Sequence, residues 1–229
     1  MTSPEDISII YKNTVELTYD TFIRETLSSL GVSASAVDKW IPARLPTYGK
    51  GHASSYSIPF TSDFTHLGEK LCQRQLLPGK ELDILQQAFM DSIHSSLRWN
   101  NLTEKNTVHS SLETKTVSLL GWCREILLEA STSSFFGKRL LQISPNLFEE
   151  FFIFDASSWK LNYGYPQFLS KDMIGARDTI IESLTAYFEL PKAERPGAAF
   201  LIQNFETEMR LLGIENKDIA ALIMTVYWV

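Results

Sequence analysis

The chain has 229 residues, is 44% hydrophobic and carries 14 Phe, 8 Tyr and 5 Trp, which is enough apolar material for one sizeable core and excludes disorder over most of its length. The formal net charge is −6 and no Lys/Arg run occurs, so the basic stripe that a nucleic-acid partner requires is missing. Cys72 and Cys123 are too few and too far apart for a disulfide framework and read as half-buried thiols in a reducing compartment, with a single bridge left open.

Met1 to Asp6 is polar and acidic, without the basic and apolar regions of a signal peptide. No run of about 20 apolar residues occurs, so no transmembrane segment is expected and the chain reads as cytoplasmic. Val15 to Leu30 has helical period and is closed by Gly31. Residues 40–62, with Pro42, Pro46, Gly49, Gly51 and Pro59, read as a long loop. A helix is expected over Asp63 to Leu76, broken at Pro78-Gly79. Leu82, Leu85, Phe89, Ile93 and Leu97 then recur every three or four residues, as on an amphipathic helix with one buried stripe. Asn100 to Ser111 reads as a polar linker.

Leu112 to Phe136 is the next helical tract. Its broad apolar face comprises Leu119, Leu120, Cys123, Ile126, Leu127 and Ala130, and Gly137 closes it. Ser144-Pro145 suits a helix start, and the run through Phe148, Phe151, Phe152 and Phe154 is too rich in Phe for an exposed helix. Gly164 and Pro166 mark a break. Lys171 to Leu190 is helical, with Met173, Ile174, Ile180, Ile181, Leu184 and Phe188 facing inward. Pro191 and Pro196 frame a short polar connection, followed by a helix over Ala198 to Leu212 closed by Gly213. Asn216 reads as the N-cap of the last helix, with Asp218 in its first turn. Strand signals are sparse, so the fold class is all-α in a single domain over 1–229.

Residues 219–229 read IAALIMTVYWV. A helix apolar all round is buried on all sides, and this one is too short to span a bilayer. It carries neither a C-cap nor a basic last turn, so it is expected to be covered by polypeptide outside these residues, the chain then being truncated. The other reading docks it on its own domain.

In order along the chain, several segments resemble the cytochrome P-450 family, in its sterol 7α-hydroxylase and prostacyclin synthase branch with their fungal relatives. QLLPGKELDILQQAFMDSI (Gln75 to Ile93) is similar to the segment after that family's C helix. LLGWCREILLEASTSSFFGKRLL (Leu119 to Leu141) is similar to its E helix. The Phe-rich tract with FDASSWKLNYGYP (Phe154 to Pro166), then ARDTIIESL (Ala176 to Leu184), resembles the F-to-G region, and GIENKDIAALIMTVYWV (Gly213 to Val229) the start of the long I helix. The resemblance implies a partial fold, from about the B'/C to the I helices, that lacks the heme-ligand half. The FxxGxxxCxG ligand loop and the ExxR motif are not in the sequence, nor is the family's N-terminal anchor. The chain is therefore expected not to hold heme by itself.

The intact parent is implied to be an oxidoreductase, a heme-iron monooxygenase of the endoplasmic reticulum membrane. It would use O2 and an electron-donating reductase to oxidise a sterol, fatty acid or related lipid, with peroxide isomerisation as the branch's other outcome. The family's WxxxR pair, which contacts the heme propionates, corresponds to His66 and Lys70, one helical turn apart; the departure from Trp and Arg weakens that transfer. The substrate-pocket positions implied are Phe152, Phe154, Trp159, Leu222, Ile223 and Val226, each of which is equally consistent with ordinary core packing.

His52, His66, His94 and His109 are dispersed, with no HExxH or CxxC pairing for zinc and no GxSxG elbow. Tyr48 to Ser55 lacks phosphate-loop spacing, and Glu149-Glu150 reads as surface charge. The reading from a different class is a non-enzymatic all-α interaction protein.

Overall fold

A computed structural model describes residues 3–12, 20–41, 64–101, 106–111 and 113–228. The described residues are mostly helical. They form α1 (Pro4–Lys12), α2 (Asp20–Ser29), α3 (Ala34–Trp40), α4 (Phe64–Leu76), α5 (Lys80–Ser96), α6 (Leu119–Phe136), α7 (Arg139–Ile143), α8 (Leu147–Ser157), α9 (Trp159–Asn162), α10 (Lys171–Glu189), α11 (Phe200–Leu211) and α12 (Asn216–Trp228). The loop expected over 40–62 lies outside the described residues, except for Trp40 at the end of α3 and Ile41 after it.

The centre of the fold is α10. It packs against α8 on one side and α12 on the other, while α5 pairs with α6 and α4 lies on α11. The inward stripe read from the sequence is the one observed: Met173, Ile180, Ile181, Leu184 and Phe188 are buried and Ile174 packs against them. Tyr187 joins them, its hydroxyl donating to the Phe136 carbonyl oxygen at 2.8 Å, which satisfies both buried polar groups.

Three local expectations need correction. The linker over Asn100 to Ser111 contributes an antiparallel hairpin, β1 (Thr107–Ser110) with β2 (Lys115–Val117), so α6 starts at Leu119 rather than Leu112. Only one side of the broad apolar face of α6 is covered: Ile126 and Ala130 are buried, but Leu119, Leu120 and Leu127 are exposed, as is Leu97 at the end of α5. Asn216 does not cap α12: its Oδ1 is buried without a partner, and Ile219 N–H bonds the Glu215 carbonyl, which places Glu215 in the cap position. Asp218 instead accepts from both Ser33 N–H and Ser33 Oγ, at 2.7 and 2.8 Å, fastening the first turn of α12 to the start of α3.

Gly137 ends α6 with φ +69°, and a Cβ there would collide with the Pro196 carbonyl oxygen. That close approach joins the end of α6 to the chain entering α11. Phe136 bridges Ala198, and Ala199 N–H donates to the Phe135 carbonyl at 2.8 Å.

Candidate functional site

Where α6, α8, α11 and the last turn of α12 converge, they leave an open groove of about 580 Å³. Arg124, Leu127, Leu128, Ser131 and Phe135 reach it from α6 at spacings of three and four, so one face of that helix forms a continuous wall. Phe151 and Phe152 come from α8, Ile202 from α11, and Val226 and Tyr227 from α12.

The inner end carries one polar contact. Thr132 Oγ1 donates to the Leu128 carbonyl at 2.7 Å. Its single proton is thereby used, so the 2.5 Å contact with Tyr227 Oη is a bond that the tyrosine donates. The Tyr227 ring meets Phe136 and Phe151 edge-on, with centroids 5.5 and 5.2 Å away. Burial pushes the Tyr227 phenol up to about 12, against the smaller lowering effect of Thr132, so it is a neutral donor at physiological pH.

At the rim, the Arg124 guanidinium lies 4.3 Å from the Phe152 ring centre. It stands 3.7 Å from Asp155 Oδ2, both side chains being about half exposed. Such a wet pair contributes at most about 1 kcal/mol, and it leaves the mouth polar while the walls are apolar. The volume and lining suit a lipophilic molecule with one polar end. The titratable groups lining the groove are Arg124, Asp155 and Tyr227, with no nucleophile–base pair among them.

Of the six pocket positions expected from the sequence, Phe152 and Val226 line this groove. The other four do not. Phe154 is fully buried on another face of α8, and Leu222 and Ile223 lie in the core. Trp159 is half exposed on α9, beside Tyr163 and Tyr165. Lys70 is an exposed residue of α4, while the side chain of His66, on the same helix, lies outside the described residues. Arg124, Asp155 and Tyr227 were missed. The α6 spacing from Arg124 through Leu127, Leu128 and Ser131 was the available signal for that wall.

A heme, which the resemblance implies, needs a thiolate donor in this family. Cys72 sits half-buried on α4 against the core, and burial pushes its thiol up, so it keeps its proton at neutral pH. Cys123 is internal to α6. Cys72 thus lacks the charge of an axial thiolate, neither cysteine has the loop setting of one, and among the described residues no three His, Cys, Asp or Glu gather. The donor set does not fit the group. Among the described residues no helix is long and apolar enough to cross a membrane.

No family model matches the chain, and no curated protein or solved structure matches it significantly.

Proposed function

We propose that these 229 residues are the central, substrate-side part of a cytochrome P-450-like monooxygenase, and that their role is to hold a lipophilic substrate such as a sterol or fatty acid. One observation carries this reading. Phe152 and Val226, from the segments that resemble the F-to-G region and the I helix, meet across a single apolar groove with a polar mouth. The segment order along the chain supports it. Iron ligation, oxygen chemistry, the reductase contact and attachment to the endoplasmic reticulum membrane would belong to parts of such an enzyme other than these residues. The exposed leucines of α6 offer a surface for those parts.

The experiment is a titration of the chain with a fluorescent sterol and a fluorescent fatty acid. Saturable binding of at least one is expected, weakened about tenfold or more by Phe152→Ala or Val226→Asp. Absent binding, or binding indifferent to both substitutions, would refute the reading. In a parallel sample mixed with hemin, reduced and treated with carbon monoxide, no Soret band at the thiolate position is expected. Such a band would put the iron ligand on Cys72 or Cys123.

A second reading, an all-α interaction protein without enzymatic activity, is favoured by the burial of Ile219 through Met224 by the chain's own helices. Cooperative unfolding combined with failure of both lipid titrations would select it.

A further inference from the structure

The connection from α10 to α11 holds a group of charged side chains, none of which lines the groove. Arg195 has a side chain only 3% exposed, and its Nη2 bonds Glu206 Oε1 at 2.8 Å. Glu206, equally buried, also accepts from Arg210 Nε at 2.9 Å. Two guanidinium groups therefore share one carboxylate. The Arg195 guanidinium is further held against the rings of Tyr187 and Phe188, 4.9 and 5.4 Å from their centres. Its Nε–H is buried and has no hydrogen-bond partner.

That orphan donor belongs to a residue lining a small cavity of about 130 Å³, which Lys192, Gly197, Ile202 and Gln203 also line. Ile202 and Gln203 lie in the first turn of α11, a 12-residue helix with no side-chain bond from its cap residue Ala199; Gln75 Oε1 takes the Leu201 amide and the Ala199 carbonyl the Gln203 amide. The positive end of the helix dipole thus faces the same space. Lys192 reaches it from the other side. Its ammonium bonds Thr207 Oγ1 at 2.7 Å and the Gln203 carbonyl at 3.3 Å, which leaves it a third donor. Glu206 is the one acidic group among the lining residues, and it is already shared between two arginines.

We propose that this cavity binds a phosphate-sized oxoanion, held by the Arg195 Nε–H, the Lys192 ammonium and the start of α11. Buried cationic donors gain most from an anion where water is scarce. A helix start supplements them without adding a competing charge. The volume accommodates a single tetrahedral ion and not a nucleotide. The occupant is a free ion, and its binding ties the α10–α11 connection to the helix that follows.

The test titrates the whole chain with inorganic phosphate against potassium chloride of equal ionic strength. Arginine Nε–H resonances and the thermal midpoint are followed. One Nε–H signal, missing in Arg195→Lys, is expected to shift saturably, and the midpoint to rise to a plateau. Lys192→Gln removes the ammonium from Thr207 and Gln203 at an exposed position and is expected to weaken phosphate binding at least fivefold, with only a small fall in the unliganded midpoint. If Arg195→Lys does not fold, the Lys192→Gln titration decides alone. A water-filled cavity would leave the buried Nε–H signal unmoved by phosphate, and that result overturns the proposal, as does unchanged affinity in Lys192→Gln. Equal binding of phenyl phosphate would overturn the free-ion assignment.

Discussion

Tyr227 places its hydroxyl among apolar neighbours and bonds Thr132, whereas the buried Tyr187 hydroxyl bonds the Phe136 carbonyl with the Arg195 guanidinium against its ring, an effect that lowers its pKa less than burial raises it. Desolvation is the largest effect on each, and it pushes both phenols up to about 12. The folded state therefore holds protons that the unfolded chain releases near pH 10. Their contribution to stability is fully present below pH 10 and is lost as pH rises from about 10 through 12. Thermal midpoints measured across that range are expected to fall. The fall should be shallower when both residues are changed to Phe, because the substituted side chains no longer titrate. An unchanged slope in the double variant would contradict these assignments. Near neutral pH the Tyr187→Phe change alone leaves the Phe136 carbonyl without its donor, at a cost of about 1 kcal/mol in urea unfolding.

The helices show which parts of the pattern were readable. In α10 the apolar residues recur on one face and the opposite face is charged, so its length and its buried side both follow from the sequence. Thr107 to Ser110 offers no apolar face, and the short hairpin it makes with Lys115 to Val117 is a local pairing that leaves no periodic signal. In α12 every position from Ile219 on except Thr225 is apolar. Periodicity therefore says that the helix is buried and cannot say which residues face the core and which the groove. Leu222 and Ile223 fell on the first side, Val226 on the second. The Arg124–Asp155 rim joins residues from two helices, a pairing that no local spacing announces. Glycine positions divide in the same way. Gly137 stands at φ +69° under the Pro196 carbonyl, so Gly137→Ala is expected to cost about 1–3 kcal/mol. Gly175, in α10, has open space where a Cβ would sit. Gly175→Ala is expected to stabilise by about 0.5–1 kcal/mol, and chemical denaturation of the two variants checks the opposite signs.

At the scale of the molecule, the core is built from residues far apart in sequence. The contact between Ser33 and Asp218 spans 185 positions, and α12 supplies six consecutive buried residues, Ile219 to Met224, to the same core as Leu27, Leu30 and Val37. Such pairings raise the mean separation of contacts and slow folding. A growing chain thus meets the Asp218 partner of Ser33 only after 185 further residues have been made, whereas α2 also touches α9 and its Ser29 carbonyl accepts from Arg177. Until then the bonds from Ser33 to Asp218 and from Lys39 to the Gly213 carbonyl are missing, and the early helices are more open to proteases and to chaperones. Nascent chains arrested before residue 216 are expected to be cleaved by a probe protease at the described positions 20–41 faster than released chains that carry all 229 residues. Equal cleavage of both would show that the early helices do not wait for α12.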